Sequence, residues 1–145
     1  MQPVLFDTSI YITALRLEHE AALGFRRIAA GAPVWLSSVV LAELYAGVSP
    51  RSRRVVERLE RDFDGARRIL VPNLRDWTQT GTVLALLAAK YDYEQIGKGR
   101  LTNDALIAMS AGRLGITVIT VNARDFKKLA EFRPFQWRIE RPRSS

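Results

Sequence analysis

Four acidic residues stand where apolar segments end or helices open, and together they suggest metal-assisted chemistry on phosphate. Asp7 closes the run Val4-Leu5-Phe6 and is followed by Thr8-Ser9. Glu43 lies inside Ser38-Val39-Val40-Leu41-Ala42-Glu43-Leu44-Tyr45-Ala46-Gly47. Asp104 follows Asn103 in Thr102-Asn103-Asp104-Ala105-Leu106-Ile107-Ala108, and Asp125 trails the strand-like Ile116-Thr117-Val118-Ile119-Thr120 and Asn122. Carboxylates in apolar company are costly unless something neutralises them. Two of them about 4 Å apart repel by roughly 4 kcal/mol at an effective dielectric near 20, so a group of such acids binds a cation or takes up protons. Oxygen-only ligands suit Mg²⁺, with Mn²⁺ able to substitute. Such an ion lowers the pKa of a bound water and stabilises charge on a phosphoryl group. Thr8, Ser9, Asn103, Thr120 and Asn122 are placed to orient carboxylates or waters by hydrogen bonds.

Each acid has a plainer role open to it. Asp7 before Thr-Ser suits a helix-capping turn. Glu43 suits a solvent-facing helix position, Asp104 suits complementing a helix dipole, and Asp125 suits a surface pair with Arg124 or Lys128. Taken singly, the structural roles are the commoner ones. Taken jointly, at these places in the pattern, the acids favour one site.

The elements that must position them alternate. Val4 to Phe6 reads as a buried strand, and Thr8 or Ser9 caps a helix carrying Ile10, Tyr11, Ala14, Leu15 and Leu17. A second helix is expected from Glu20 to Ala30, stopping at Gly31-Ala32-Pro33. Strand Val34 to Leu36 leads into a helix capped by Ser37 or Ser38. Another helix is expected from Arg51 to Ala66, with Val55, Val56, Leu59 and Phe63 as its buried stripe and Arg51, Arg54, Arg58 and Arg61 opposite. Then come a strand from Arg68 to Val71, a helix from Arg75 to Tyr93, and a loop from Glu94 to Leu101. Thr102 opens the next helix, which ends at Leu114-Gly115 with glycine in the left-handed cap. Strand Ile116 to Val121, a helix from Ala123 to Ala130 and a strand from Gln136 to Ile139 complete the chain. Alternating strands and helices imply a mainly parallel sheet with helices on both faces, in which ligands collect at the carboxyl ends of the strands.

The 145 residues, 48% hydrophobic, suit a single domain spanning 1–145 with a sizeable core. No cysteine is present, which excludes disulfides and thiolate sites, and the single His19 excludes a multi-histidine zinc site. No signal peptide and no membrane span are expected, so the default location is the cytoplasm. Lys and Arg number 22 against 15 acids, a net +7, and 18 of the 22 are Arg. That balance suits a polyanionic partner, since guanidinium grips phosphate with a planar fork, although arginine-rich coding bias gives the same count.

The same stretches carry a family resemblance. Leu5 to Ser9, Ser37 to Gly47, Ile96-Gly97-Lys98-Gly99-Arg100-Leu101 through Ala108, and Ile119-Thr120-Val121-Asn122-Ala123-Arg124-Asp125-Phe126 occur in the order and spacing of the PIN-domain ribonucleases. The chain resembles in particular the toxin subunit of VapBC-type toxin–antitoxin pairs. That resemblance implies a three-layer α/β/α sandwich, Mg²⁺- or Mn²⁺-dependent cleavage of an RNA substrate, a cognate antitoxin that blocks the site, and a toxin homodimer. Asp7, Glu43 and Asp104 match its three core acidic positions. The fourth position falls on Asn122, with an acid supplied nearby by Asp125.

Basic residues offer substrate contacts. Lys98 and Arg100 precede Asp104 directly, and Arg51 and Arg54 belong to the arginine-rich helix, where they suit a phosphate backbone. The alternative for that helix is a solvated face with Glu57 and Arg61 as an i,i+4 pair. Tyr45, close to Glu43 in sequence, is the aromatic best placed to stack on a base. The expected function is therefore a metal-dependent endoribonuclease. The runner-up is a non-catalytic RNA-binding module of the same fold. An aspartyl-phosphate enzyme with Asp7 as nucleophile is disfavoured, because the second acid such enzymes place two residues on is here Ser9.

Overall fold

In a computed structural model, the structure describes residues 2–16, 29–91 and 100–140, the side chain of Arg100 excepted. In chain order the elements are β1 (Val4–Phe6), α1 (Thr8–Arg16), β2 (Val34–Ser37), α2 (Ser38–Gly47), α3 (Arg53–Gly65), β3 (Ile69–Leu70), α4 (Leu74–Lys90), α5 (Arg100–Arg113), β4 (Thr117–Thr120), α6 (Ala123–Phe132) and β5 (Trp137–Ile139). The five strands form one sheet in the order β3-β2-β1-β4-β5, every pair parallel. Helices cover both faces, so the fold is the α/β/α sandwich expected from the alternation. Val4, Leu5 and Phe6 are all buried, as a central strand covered on both sides requires.

The strand order fixes where a site can form. From β1 the chain steps outward through β2 to β3, then returns to the other flank of β1 with β4 and β5. The order therefore reverses between β1 and β4, and a crevice opens outside their carboxyl ends. Phe6 pairs in register with Ile119. The next residues along, Asp7 and Thr120, are consequently side by side at that crevice, and the Asp7 amide donates to the Ile119 carbonyl at 3.0 Å.

Several local expectations need correction. The arginine-rich helix starts at Arg53, not Arg51, because Ser49 to Ser52 form a hydrogen-bonded turn first. Its buried stripe is narrower than expected: Val56 is buried and Leu59 and Phe63 half-buried, but Val55 is 48% exposed. Glu57 pairs with Arg53 at 3.3 Å rather than with Arg61. α5 opens at Arg100, two residues early, so no acid occupies its first turn. The same holds for α2, where Ser37 caps through a bond from the Val39 amide at 3.1 Å. Glu43 and Asp104 thus lie in second turns, beyond the reach of the dipole effect, which fades within the first. Gly115 does adopt the left-handed conformation, φ 67°, and ends the turn after α5 as expected. The helix expected from Glu20 to Ala30, and Leu17 before it, fall outside the described residues up to Ala29, as does most of the expected 94–101 loop.

Candidate active site

Asp7 is the centre of the arrangement. It is 4% exposed, at the carboxyl end of the central strand. One carboxylate oxygen, Oδ1, accepts from the Ser9 hydroxyl at 2.5 Å and from the Ile10 amide at 3.4 Å. The other, Oδ2, accepts from the Thr120 hydroxyl at 2.6 Å. Burial pushes the Asp7 pKa above its ordinary value, and the hydrogen bonds from Ser9, Thr120 and the Ile10 amide offset that only in part. Among the described residues no ion pair reaches it. A buried carboxylate held by neutral donors is one that a cation would stabilise.

Two hydrogen-bonded arms extend from it. Thr8, the next residue, donates from its hydroxyl to Glu43 Oε1 at 2.8 Å, which ties the start of α1 to the second turn of α2. On the other side the Thr120 hydroxyl, while donating to Asp7, accepts from the Asn122 amide at 2.9 Å. Asn122 stands at the N-cap of α6 without capping it. Its side-chain amide instead points toward Asp125 Oδ2 at 3.5 Å, in the first turn. The local reason is the sharp exit from β4: the Thr120 hydroxyl turns back onto the chain two residues on, as threonines at strand ends do.

Several of the sequence-nominated residues are joined by hydrogen bonds. Asp7, Ser9, Thr120, Asn122 and Asp125 form one hydrogen-bonded network at the β1/β4 crevice, and Thr8, the residue after Asp7, bonds Glu43 beside it. Asn103 and Asp104 are half-buried on α5, which packs against both α2 and β4. Among the described residues no three acids approach closely enough, as placed, to hold one ion between them. The donor set nonetheless has the chemistry of a hard-cation site: it is all oxygen, it includes one desolvated carboxylate, and it stands at the sheet's ligand-binding edge. Arg51 and Arg54 are exposed, Arg51 in the turn before α3 and Arg54 on it. Lys98 and the side chain of Arg100 lie outside the described residues.

Tyr45 is committed elsewhere. Its hydroxyl donates to Glu60 at 2.6 Å and the Arg53 guanidinium sits 5.6 Å from its ring centre, so it joins α2 to α3. Asp76 is the important residue that sequence reasoning passed over. Fully buried at the start of α4, it receives the Arg113 guanidinium on both oxygens, with Nε at 3.1 Å and 3.0 Å. It also forms a capping box with Asn73, each side chain bonding the other's amide at 2.9 Å. The signal was present in Asn73-x-x-Asp76 ahead of the leucine-rich run.

The sequence model of the PIN domain family matches residues 4–132. Solved structures give the same fold over nearly the full length. VapBC from Salmonella typhimurium, bound to DNA, aligns at 24% identity and TM-score 0.68, covering 96% of this chain and 98% of that one. VapBC2 from Rickettsia felis, bound to a promoter DNA fragment, aligns at 22% identity and TM-score 0.68, covering 96% and 99%. VapBC-1 from nontypeable Haemophilus influenzae aligns at 23% identity and TM-score 0.65, covering 95% and 98%. No protein of curated function matches the chain.

Proposed function

The chain belongs to the PIN-domain family, and we propose that it is the toxin subunit of a VapBC-type pair, a cytoplasmic Mg²⁺- or Mn²⁺-dependent endoribonuclease. The observation that carries this reading is Asp7, a desolvated carboxylate without a cationic partner among the described residues, linked through hydroxyls toward Glu43 and Asp125. Asp7, Glu43, Asp104 and Asp125 are the residues that would hold the divalent ion. When bound, that ion supplies a lowered pKa for an attacking water and charge stabilisation on the phosphoryl group. Ser9 and Thr120 fix the Asp7 carboxylate, Thr8 fixes Glu43, and Asn122 fixes Asp125, while Asn103 stands beside Asp104. These hydrogen bonds fix individual carboxylates, while closing the four acids around one ion requires them to move together. Lys98, Arg100, Arg51 and Arg54 would draw in and position the RNA backbone.

The similarity to VapBC complexes supports a cognate antitoxin as partner, and a toxin homodimer is proposed with it. No helix among the described residues is long and apolar enough to cross a membrane. The direct test is RNA cleavage by the purified chain. Activity should vanish in excess EDTA and return with Mn²⁺, and undiminished cleavage in chelator would refute the reading. One observation favours a second reading, RNA binding without cleavage: the acids as placed do not close around one ion. A Mn²⁺-dependent rise in melting temperature separates the two, because only a protein that binds the ion in its folded state gains stability from it.

A further inference from the structure

A cleft of about 220 Å³ opens between the first turns of α4, the last two turns of α5 and residues 133–135 beyond α6. Arg75, Arg113 and Arg133 line it, together with the buried Met109 and the half-buried Phe135. None of the four acids proposed for catalysis lines it. Gly112 eases the close approach of that segment to α5: a Cβ there would meet the Phe135 Cβ at 3.3 Å.

The charge in the cleft is unbalanced. Among the described residues Asp76 is its one carboxylate, and its oxygens are taken up by Arg113 and the Asn73 amide. Arg113 is thereby locked in orientation while remaining 31% exposed. No ion pair involves Arg75 or Arg133 among the described residues. Guanidinium groups beside an aromatic ring match a nucleotide, whose phosphate takes the guanidinium forks and whose base lies against Phe135. An acidic peptide side chain would satisfy the arginines but make no use of the aromatic ring.

We propose that this cleft is a second RNA subsite, which holds one nucleotide of a single strand at a distance from the bond being cut. The inference rests on the ribonuclease reading. Nine residues of α5 separate Asp104 from Arg113, about 14 Å of helix, and the cleft-lining side chains are turned roughly a third of a circle from Asp104. Residues 105–111 of α5 are all buried, so a strand reaching both places runs over the elements packed around that helix. Its grip on the cleft adds binding energy remote from the reacting phosphate, the kind that aligns substrate for the chemical step.

The test uses the full chain with Asp7→Asn, so that RNA is bound without being cut, and fluorescence anisotropy with a labelled single-stranded oligoribonucleotide long enough to span both places. Adding Arg75→Ala or Arg133→Ala should each weaken binding about tenfold. Each should also flatten the log–log salt dependence by about 0.7. Phe135→Ala should weaken a base-bearing strand by about tenfold and leave an abasic strand of the same length unaffected. If both arginine variants bind RNA as the parent does while the wild-type chain still cleaves it, the cleft proposal is overturned and the nuclease reading stands. If labelled poly-glutamate binds the chain in an Arg75- and Arg133-dependent way and RNA does not displace it, the cleft is a docking site for an acidic protein segment and the proposal fails. If neither wild type nor Asp7→Asn binds RNA at any salt concentration, both readings fail together.

Discussion

Asp7 and Asp76 are both buried aspartates next to the start of a helix, and the chain treats them in opposite ways. Asp76 is fully enclosed and fully answered: a guanidinium spans both its oxygens and a capping box adds an amide. Asp7 is almost as buried, yet its partners are two hydroxyls and one amide at 3.4 Å, all neutral. A carboxylate that serves only the fold is best given its counter-charge by the fold itself, since a buried pair is costly to break. A carboxylate left with neutral donors keeps the fold less stable than it need be and stays available to a cation from solution. The contrast separates structure from function within a single residue type.

The largest effect should come from cutting that availability. Asp7→Asn keeps the shape and most of the hydrogen bonding but removes the charge, and RNA cleavage should fall on the order of a thousandfold, several kcal/mol of lost transition-state stabilisation. Its melting temperature in chelator should stay level or rise slightly, because a desolvated charge has been deleted. A melting temperature lowered by several degrees would make Asp7 another Asp76.

The reverse pattern is expected at the other aspartate. Arg113→Ala strands a buried charge and should cost about 3 kcal/mol in urea unfolding, at the low end for buried pairs because Arg113 is 31% exposed. Asn73→Ala removes only the cap and should cost about 1 kcal/mol. Cleavage of short RNA per folded molecule should change far less in Asn73→Ala than in Asp7→Asn. A loss of activity in Asn73→Ala as deep as in Asp7→Asn, with the fold intact, would erase the distinction between the two regions.

That distinction was half legible in the sequence. Asp7 was found because it sits at a junction with a local signature: an apolar run, then an acid, then two hydroxyl residues. The parallel sheet was found because short apolar runs alternate with 3.6-residue periodicity. What local pattern does not carry is contact across the chain. Thr8 meets Glu43 over 35 positions and Arg113 meets Asp76 over 37, so neither bond leaves a trace in spacing. Helix starts slipped for a related reason. The residues before Thr102 contain two glycines and read as loop, yet α5 already begins at Arg100, which moved Asp104 out of the first turn. The Asn73-x-x-Asp76 spacing is a local signal for a capping box, but the arginine that completes Asp76's partners lies 37 positions away.

The smallest effect, and the finest probe of the contrast, is the pH dependence of stability with chelator present. Burial holds the Asp7 pKa above its ordinary value of 3.8 in the folded chain, whereas unfolding returns it to that value. Between the two pKa values the folded state holds more protons than the unfolded one, so stability must fall as pH rises through that window. The penalty is complete above the folded pKa, and it is relieved as pH falls toward 3.8. Other carboxylates titrate in the same range, so the informative quantity is the unfolding free energy of wild type minus that of Asp7→Asn, measured at each pH. This difference should grow more favourable to wild type as pH is lowered, because asparagine has no proton to gain. Saturating Mn²⁺ should reverse the slope, since the ion competes with the proton for the same oxygens and stabilises only the ionised form. A difference that is flat in chelator would mean that Ser9 and Thr120 compensate fully for burial, and Asp7 would then be as well satisfied by its hydroxyls as Asp76 is by its arginine.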